Sequence, residues 1–277
     1  MENITLNRLP APTFSWLGVN EAHREIKEYE TSKYEINAAK GEKITKIIFL
    51  QNSGEKVFEL SVNAQEHSTV ELIQVFASNK LCAAKINAQV ADAAQLRLVQ
   101  LYLNTADTLC DVNVLLQGYN SNLSADIAYL LGESKKLDLN LLASHKGKKS
   151  SSEINVRGVL KKGSEKVFKG TIDFLSGSEG AVGAEQEDVL LMDEGVVNKT
   201  VPLILCAEED VSGSHGASIG RVDEKQVFYM RSRGLSEEKI YDLMAQAKLR
   251  QVIDMIDDED AKRRISTILT GGAEVVT

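Results

Sequence analysis

A lone histidine, His215, stands in a run of small residues from Ser212 to Gly220, and Cys206 lies nine positions before it in the apolar stretch Val201-Pro202-Leu203-Ile204-Leu205-Cys206. Neutral imidazole and thiolate are both metal donors, and together they would suit iron if strand geometry joined them. Each also has a plainer reading. An imidazole is readily satisfied by one donor and one acceptor as a structural residue, and an unpaired cysteine in an apolar strand packs as a small hydrophobe. Gly213, Gly216 and Gly220 permit tight backbone turns, so the stretch is expected to form a compact corner that presents His215.

Other chemistries find less support. The closest approach to a phosphate loop, Gly147-Lys148-Lys149-Ser150, lacks the preceding glycine and the spacing with which backbone amides wrap a phosphate, so the chain is not itself a P-loop ATPase. His145 with Lys146, Lys148 and Lys149 forms a basic turn that could attract an anion or be a solvated loop. Neither G-x-S-x-G nor H-E-x-x-H occurs, and no paired His/Cys spacing marks a metal knuckle. Cys82, Cys110 and Cys206 are odd in number and far apart, which outlines no disulfide framework and points to reduced thiols.

The elements that must position these residues are mostly strands. From about residue 41 to about 222, short segments alternate apolar with polar positions before a turn, as in KITKIIFL, KVFELSVNA, AQLRLVQLYLN and KVFKGTIDFL. Asn87, Asn113 and Asn140 recur at intervals of 26 and 27, each in a short apolar strand, as coils of a solenoid would place them. A β-sandwich is the competing architecture. Residues 1–40 form a lead segment in which the charged NEAHREIKEYE reads as a short helix and Trp16 as an aromatic lid over the end of the core. From about 223 the period turns helical. Ile240, Leu243, Met244, Ala247, Val252, Ile253 and Ile256 fall mostly three or four apart, with Ser236 as N-cap and Glu237 and Glu238 in the first turn. Asp257 to Asp260 break that helix, and AKRRISTIL forms a shorter one before the Gly271-Gly272 tail.

With 277 residues, 43% of them hydrophobic, the chain can bury a sizeable core. Its net charge of -8 argues against nucleic acid as a partner. The N-terminus lacks a cationic region followed by an apolar run, and no stretch approaches the ~20 apolar residues that span a bilayer, so a cytoplasmic protein without membrane contact is expected.

The order His-Gly-Ala-x-x-Gly, then Asp-Glu-x-x-x-Phe-Tyr-x-x-Ser-Arg-Gly, over residues 215–234 resembles the core signature of the SufB/SufD family of iron–sulfur cluster assembly proteins. Leu9-Pro10-x-Pro12-Thr13-x-x-Trp16-Leu17-x-Val19-Asn20 is similar to the entry segment of short SufD-like chains, Phe168-Lys169-Gly170 matches a family Phe-x-Gly motif, and Pro202 to Cys206 resembles a Pro-x-x-x-Cys strand of the SufB branch. Two positions depart from that branch. Gly216 replaces its glutamate, and Glu187-Asp188-Val189-Leu190 stands where it carries a functional cysteine.

The resemblance implies a mainly β chain: a right-handed parallel β-helix core over 41–222, preceded by the lead segment and followed by a helical, ATPase-docking segment over 223–277. It implies a non-enzymatic subunit of the SUF complex that pairs, near 200–222, with a SufB/SufD-type core or with itself as a homodimer. A SufC-type ABC ATPase would dock through Ile240, Leu243, Met244 and Ala247. A transient iron–sulfur cluster would form at a subunit interface, with His215 and Cys206 as the candidate metal ligands and no tightly bound cofactor. The alternatives are the cluster scaffold itself in a minimal SufBC-like system and, more distantly, a carbohydrate-active β-helix protein.

Overall fold

The computed structural model describes residues 2–12, 15–26, 29–51, 54–104, 106–193 and 195–270. Thr13 and the Gly271-Gly272 tail lie outside them. Two short strands, β1 (Glu2–Leu6) and β2 (Ala22–Ile26), pair antiparallel in the lead segment. The main run follows as β3 (Tyr29–Ala38), β4 (Lys43–Leu50), β5 (Glu55–Ala64), β6 (Thr69–Phe76), β7 (Cys82–Val90), β8 (Gln95–Asn104) and β9 (Thr108–Leu116). It continues as β10 (Asn122–Leu131), β11 (Lys136–His145), β12 (Ser151–Leu160), β13 (Glu165–Phe174), β14 (Ala181–Leu191), β15 (Val197–Cys206) and β16 (Val211–Arg221). Odd-numbered strands β3 to β15 build one seven-stranded sheet and even-numbered strands β4 to β16 the other. Neighbours within each sheet run parallel, for example β5 with β7 and β8 with β10. This is a parallel β-solenoid, and the sandwich alternative is set aside.

Stacking fixes which side chains meet. Among the inward positions of the even-numbered sheet, Leu72, Leu98, Ala125 and Ile154 form one column, and Phe76, Tyr102 and Tyr129 another. Phe76 and Tyr102 stack with ring centroids 4.5 Å apart. Leu60, Ile86, Val112 and Leu141 form the facing column in the odd-numbered sheet. All of these side chains are buried. Each buried aliphatic or aromatic group contributes about 1.5–3 kcal/mol, which is why the alternation holds through coil after coil.

Coil length grows along the chain. Thr69 lies opposite Gln95, 26 residues on, but Asp111 lies opposite Asn140, 29 residues on, and Glu165 opposite Val197, 32 residues on. Asn87 and Asn113 therefore stack, while Asn140 slips two positions out of their ladder.

The charged segment expected to be helical is extended instead, as β2 and β3. An available neighbour outweighs local preference: β3 pairs along its length with β5, and Lys33 bridges Glu59 at 2.8 Å across the pair. The solenoid thus begins at Tyr29, ahead of residue 41. The rest of the lead segment lies along the outer face of the odd-numbered sheet, where Leu9 and Val19 cluster with Val167 and Val201. Beneath it the fully buried Lys169 donates to the Asn7 carbonyl at 2.9 Å and to Asp138 Oδ1 at 3.0 Å. Trp16 is not a lid. It is 82% exposed, because Leu17 takes the packed position of its turn.

Three helices follow: α1 (Glu224–Ser232), α2 (Glu237–Ile253) and α3 (Glu259–Leu269). Ser236 Oγ caps α2 by accepting from the Lys239 amide, and Asp258, in the acidic break, caps α3 by accepting from the Ala261 amide. Leu249, Val252 and Ile253 of α2 and Ile265 of α3 pack on Ile73, Val75, Val99 and Leu101 of the even-numbered sheet's outer face. Arg97 locks the corner between them by donating to the Met255 carbonyl at 2.8 Å. Among the described residues no helix is long and apolar enough to cross a membrane.

Candidate functional site

The solenoid ends on β15 and β16, each of which has a strand on one side only. The stretch around His215 is not a compact corner. It is β16, extended throughout and registered on β14 from Ala181 opposite Val211 to Leu191 opposite Arg221. Gly213 answers a packing demand rather than a turn: a Cβ on it would come within 3.0 Å of the Phe174 ring and 3.1 Å of Ile204, whereas Gly220 has open space around it. Small residues let this strand close over the end of the bore.

His215 is exposed and stands opposite Glu185 in the register, so the alternation puts it on the bore side. Cys206, the last residue of β15, is exposed as well, and its thiol donates to the Glu208 carbonyl at 3.0 Å. Cys82 and Cys110 differ sharply. Both are buried, and burial pushes each thiol up to about 12, as expected of inert core residues. Among the described residues no group of three or more His, Cys, Asp or Glu side chains is gathered closely enough to hold a metal ion. His215 and Cys206 thus share one end of the solenoid without forming a site by themselves.

Behind them the bore turns polar. Lys166 and Glu187, both fully buried, pair at 2.5 Å. Lys166 also donates to Thr200 Oγ1 at 3.0 Å, and Thr200 in turn donates to Glu187 Oε2 at 2.6 Å. Burial holds the Lys166 ammonium below the usual lysine range, opposed by the Glu187 carboxylate. Glu185 lies beside them, its carboxyl in the space that Gly170 leaves: a Cβ there would sit 1.9 Å from Glu185 Oε2. The Phe168-Lys169-Gly170 motif therefore has a physical reading, a gap for a buried acid. Burial first, then the neighbouring Glu187, raises the Glu185 carboxyl to about 7. Glu185 and Glu187 escape a composition-based reading, but their two-residue spacing puts both on the inward side of a strand.

The basic turn resolves as structural. His145 is buried between Ser150 Oγ at 2.9 Å and Ser152 Oγ at 2.8 Å, against the Phe174 ring, and burial lowers it to about 4. Lys148 bridges Glu179 at 2.6 Å.

Of the residues expected to dock a partner, Ile240 is fully buried and Met244 packs in a small cluster with Val159 and Leu190 of the solenoid. Leu243 and Ala247 are exposed. Within the helices the larger exposed apolar groups belong to α1, where Phe228 is 75% and Tyr229 59% exposed. Both lie inside the segment singled out by its signature, yet period alone could not tell a packed face from a bare one.

Comparison with known proteins bears on what this end serves. The family model described as "SUF system FeS cluster assembly, SufBD core domain" matches residues 22–248. The iron-sulfur cluster assembly protein SufD of Bacillus subtilis is 30% identical over 125 residues, covering 45% of this chain and 29% of that protein. Iron-sulfur cluster assembly SufBD family proteins of Staphylococcus saprophyticus and Staphylococcus aureus are each 26% identical over 188 residues, covering 68% of this chain and 40% of theirs. The matched region thus spans less than half the length of these relatives.

Proposed function

The chain belongs to the SufBD core family of the SUF iron–sulfur cluster assembly system, and from that premise we propose that it is a non-enzymatic, cytoplasmic subunit whose solenoid pairs end to end with a second SufB/SufD-type core. One observation carries the reading: the bore, whose early coils are mostly apolar and bury the neutral Gln74–Gln100 pair, opens at β15–β16 onto exposed donors, His215 and Cys206, in front of a buried acid, Glu185. The β16 edge has neither lysine nor proline to blunt it, which is the condition under which a strand edge recruits another chain. Two donors from one chain leave a tetrahedral metal half-coordinated. Two such ends facing each other supply four, from two thiolates and two imidazoles, a set suited to an iron–sulfur cargo.

The helices are the proposed docking surface for a SufC-type ABC ATPase. Phe228 and Tyr229 form its centre, with Leu243 and Ala247 at its margin, because Ile240 is buried and Leu249, Val252 and Ile253 of α2 are spent on the solenoid. Lys248 of α2 bridges Asp188 of β14 at 2.5 Å, so movement imposed on the helices pulls on the strand that holds Glu185 and Glu187 in the bore. The exposure of Cys206 favours a second reading, in which the chain is itself the scaffold of a two-protein system.

Anaerobic co-purification with the ATPase, followed by iron and sulfide analysis, tests both. Retention of the ATPase that is lost on Phe228→Asp supports the subunit reading. Stoichiometric iron and sulfide on a complex lacking any other SufB/SufD-type chain selects the scaffold. Failure to retain the ATPase at all would remove the docking surface.

A further inference from the structure

Arg157 of β12 and Asp188 of β14 lie directly opposite each other in the register, both on the outward side of the even-numbered sheet. Side chains so placed on neighbouring strands are within easy reach. No ion pair joins them. Asp188 is held instead by Lys248 of α2 at 2.5 Å, and Arg157 leans one strand back and two residues along to Asp126, whose Oδ1 lies 4.0 Å from its Nη1. That grip is loose. The Arg157 Nη1 is buried and has no hydrogen-bond partner among the described residues, while Asp126 accepts long bonds from Asn155 Nδ2 at 3.4 Å and Ser124 Oγ at 3.5 Å. Arg97, on the same face, is settled by comparison: it donates to Glu71 Oε1 at 2.6 Å and to the Met255 carbonyl at 2.8 Å. A buried guanidinium nitrogen without an acceptor lacks the hydrogen bond that would offset its desolvation. Lys248 thus occupies the acceptor that the register sets opposite Arg157.

We infer that Asp188 is exchanged between Lys248 of α2 and Arg157 of β12, which makes the seat of α2 an ion-pair switch. When α2 shifts and carries Lys248 away, Arg157 leaves Asp126 and takes Asp188, so the carboxylate keeps a cation in both positions of the helix. The shift has a fixed end and a loose one. Arg97 clamps the Met255 carbonyl just beyond the C-terminus of α2, whereas nearer its N-terminus Asp242 stands 3.9 Å from Lys161. Between them Met244 and Ala245 rest on Val159 and Leu190, an apolar seat whose non-directional contacts tolerate a small slide. Asp188 follows Glu187 in β14, and successive residues of a strand point to opposite faces, so the exchange on the outer face is coupled through the backbone to the polar bore. The inference rests on the proposed docking of the ATPase only for the force that moves α2. The exchange itself belongs to the chain alone.

Native-state hydrogen exchange on the purified full chain reads the switch, with the amides of α2 reporting its local opening and those of β10 serving as the reference for the core. Lys248→Met is expected to speed exchange in α2 by about threefold or more, since only the seated helix loses a pair. Arg157→Met is expected to slow it by about twofold, because the shifted state loses the cation that takes Asp188. The double variant is expected to match Lys248→Met, whereas two independent pairs would add. A crystal structure of Lys248→Met is expected to show Arg157 within hydrogen-bond distance of Asp188, and it decides even where Arg157→Met folds poorly. Arg157 still turned to Asp126 in that structure, or α2 exchange sped by Arg157→Met as by Lys248→Met, overturns the switch. Neither measurement involves the ATPase, so a chain that fails to retain the ATPase removes the docking surface and leaves this result standing.

Discussion

The early coils of the bore bury apolar groups and the neutral Gln74–Gln100 pair, whereas the late coils add buried charge on the same scaffold. The inward column that begins Leu72, Leu98, Ala125, Ile154 continues as Glu185 and His215, and the column that runs Leu137 in β11 continues as Lys166 and Asn198. Backbone pairing is the same throughout, so the sheet alone does not require the change. Apolar columns supply the burial that holds the coils together, whereas a buried Lys–Glu pair regains little beyond the desolvation of its two ions. The late coils are therefore kept for something other than stability. Their position at the open end, behind His215, matches the role proposed for that end.

Breaking the pair is the strongest way to probe the contrast. Lys166→Met leaves Glu187 buried without its cation and is expected to cost about 3–5 kcal/mol, read as a drop in the urea midpoint. That is comparable to truncating a large side chain in the apolar coils. Adding Glu187→Leu to Lys166→Met is expected to recover most of the loss, since the remaining site is then free of unpaired charge. If Lys166→Met alone costs less than about 1 kcal/mol, the late bore behaves as hydrated space and the contrast collapses.

Glu185 sharpens the same contrast through pH. Its carboxyl, raised to about 7 from an ordinary 4.5, keeps in the folded chain a proton that the unfolded chain releases between those values. Its contribution therefore falls as pH rises through that window. His145 acts in the opposite sense: lowered to about 4 from 6.5, it stays neutral where the unfolded chain binds a proton, so its contribution grows as pH rises between those values. Glu185→Gln is expected to gain on the wild type, between about pH 4 and pH 8, by on the order of 1–3 kcal/mol, and to leave a stability curve that rises through the His145 window. Parallel curves for the two proteins would mean that Glu185 is solvated and ionised in the folded state.

The solenoid was legible where strands alternate cleanly. KITKIIFL is β4 to the residue, and the 26-residue spacing of Asn87 and Asn113 is the true coil length of the early coils. It failed where composition imitates another element. β16 reads as a turn because serine and glycine fill it, and only its register on β14 shows that small residues are needed for closure against Phe174 and Ile204. β3 reads as part of the lead segment because its outward face is charged, and its partner β5 is remote in sequence. The family resemblance located His215 and marked Glu187 only as a departure from the SufB branch, and it was silent on Lys166 and Glu185; the proximity of these last three depends on two different strands, β13 and β14. Exposure was the least legible property. Nothing in local sequence could tell that Leu17 would be packed and Trp16 left bare, or that α2 would spend its apolar side on its own solenoid.

His215 is the polar end's smallest expected effect on folding and its largest on function, which makes it the finest test of the comparison. The side chain is exposed on a terminal strand and no ion pair among the described residues holds it, so His215→Ala is expected to change stability by less than about 0.5 kcal/mol, within the scatter of surface substitutions. The strand's closure depends on Gly213 and the backbone register rather than on the imidazole. Iron–sulfur enzyme activity in a strain that depends on this SUF system is expected to fall nonetheless, because the imidazole and the Cys206 thiol are the exposed histidine and cysteine donors that this end presents among the described residues. Cys206→Ser should fall as far if the thiolate is a ligand of equal rank, and less if the partner core supplies the sulfur. Full complementation by His215→Ala, with an unchanged melting temperature, would reduce the histidine to a surface residue and leave the buried acid and lysine as the only function-bearing features of the late coils.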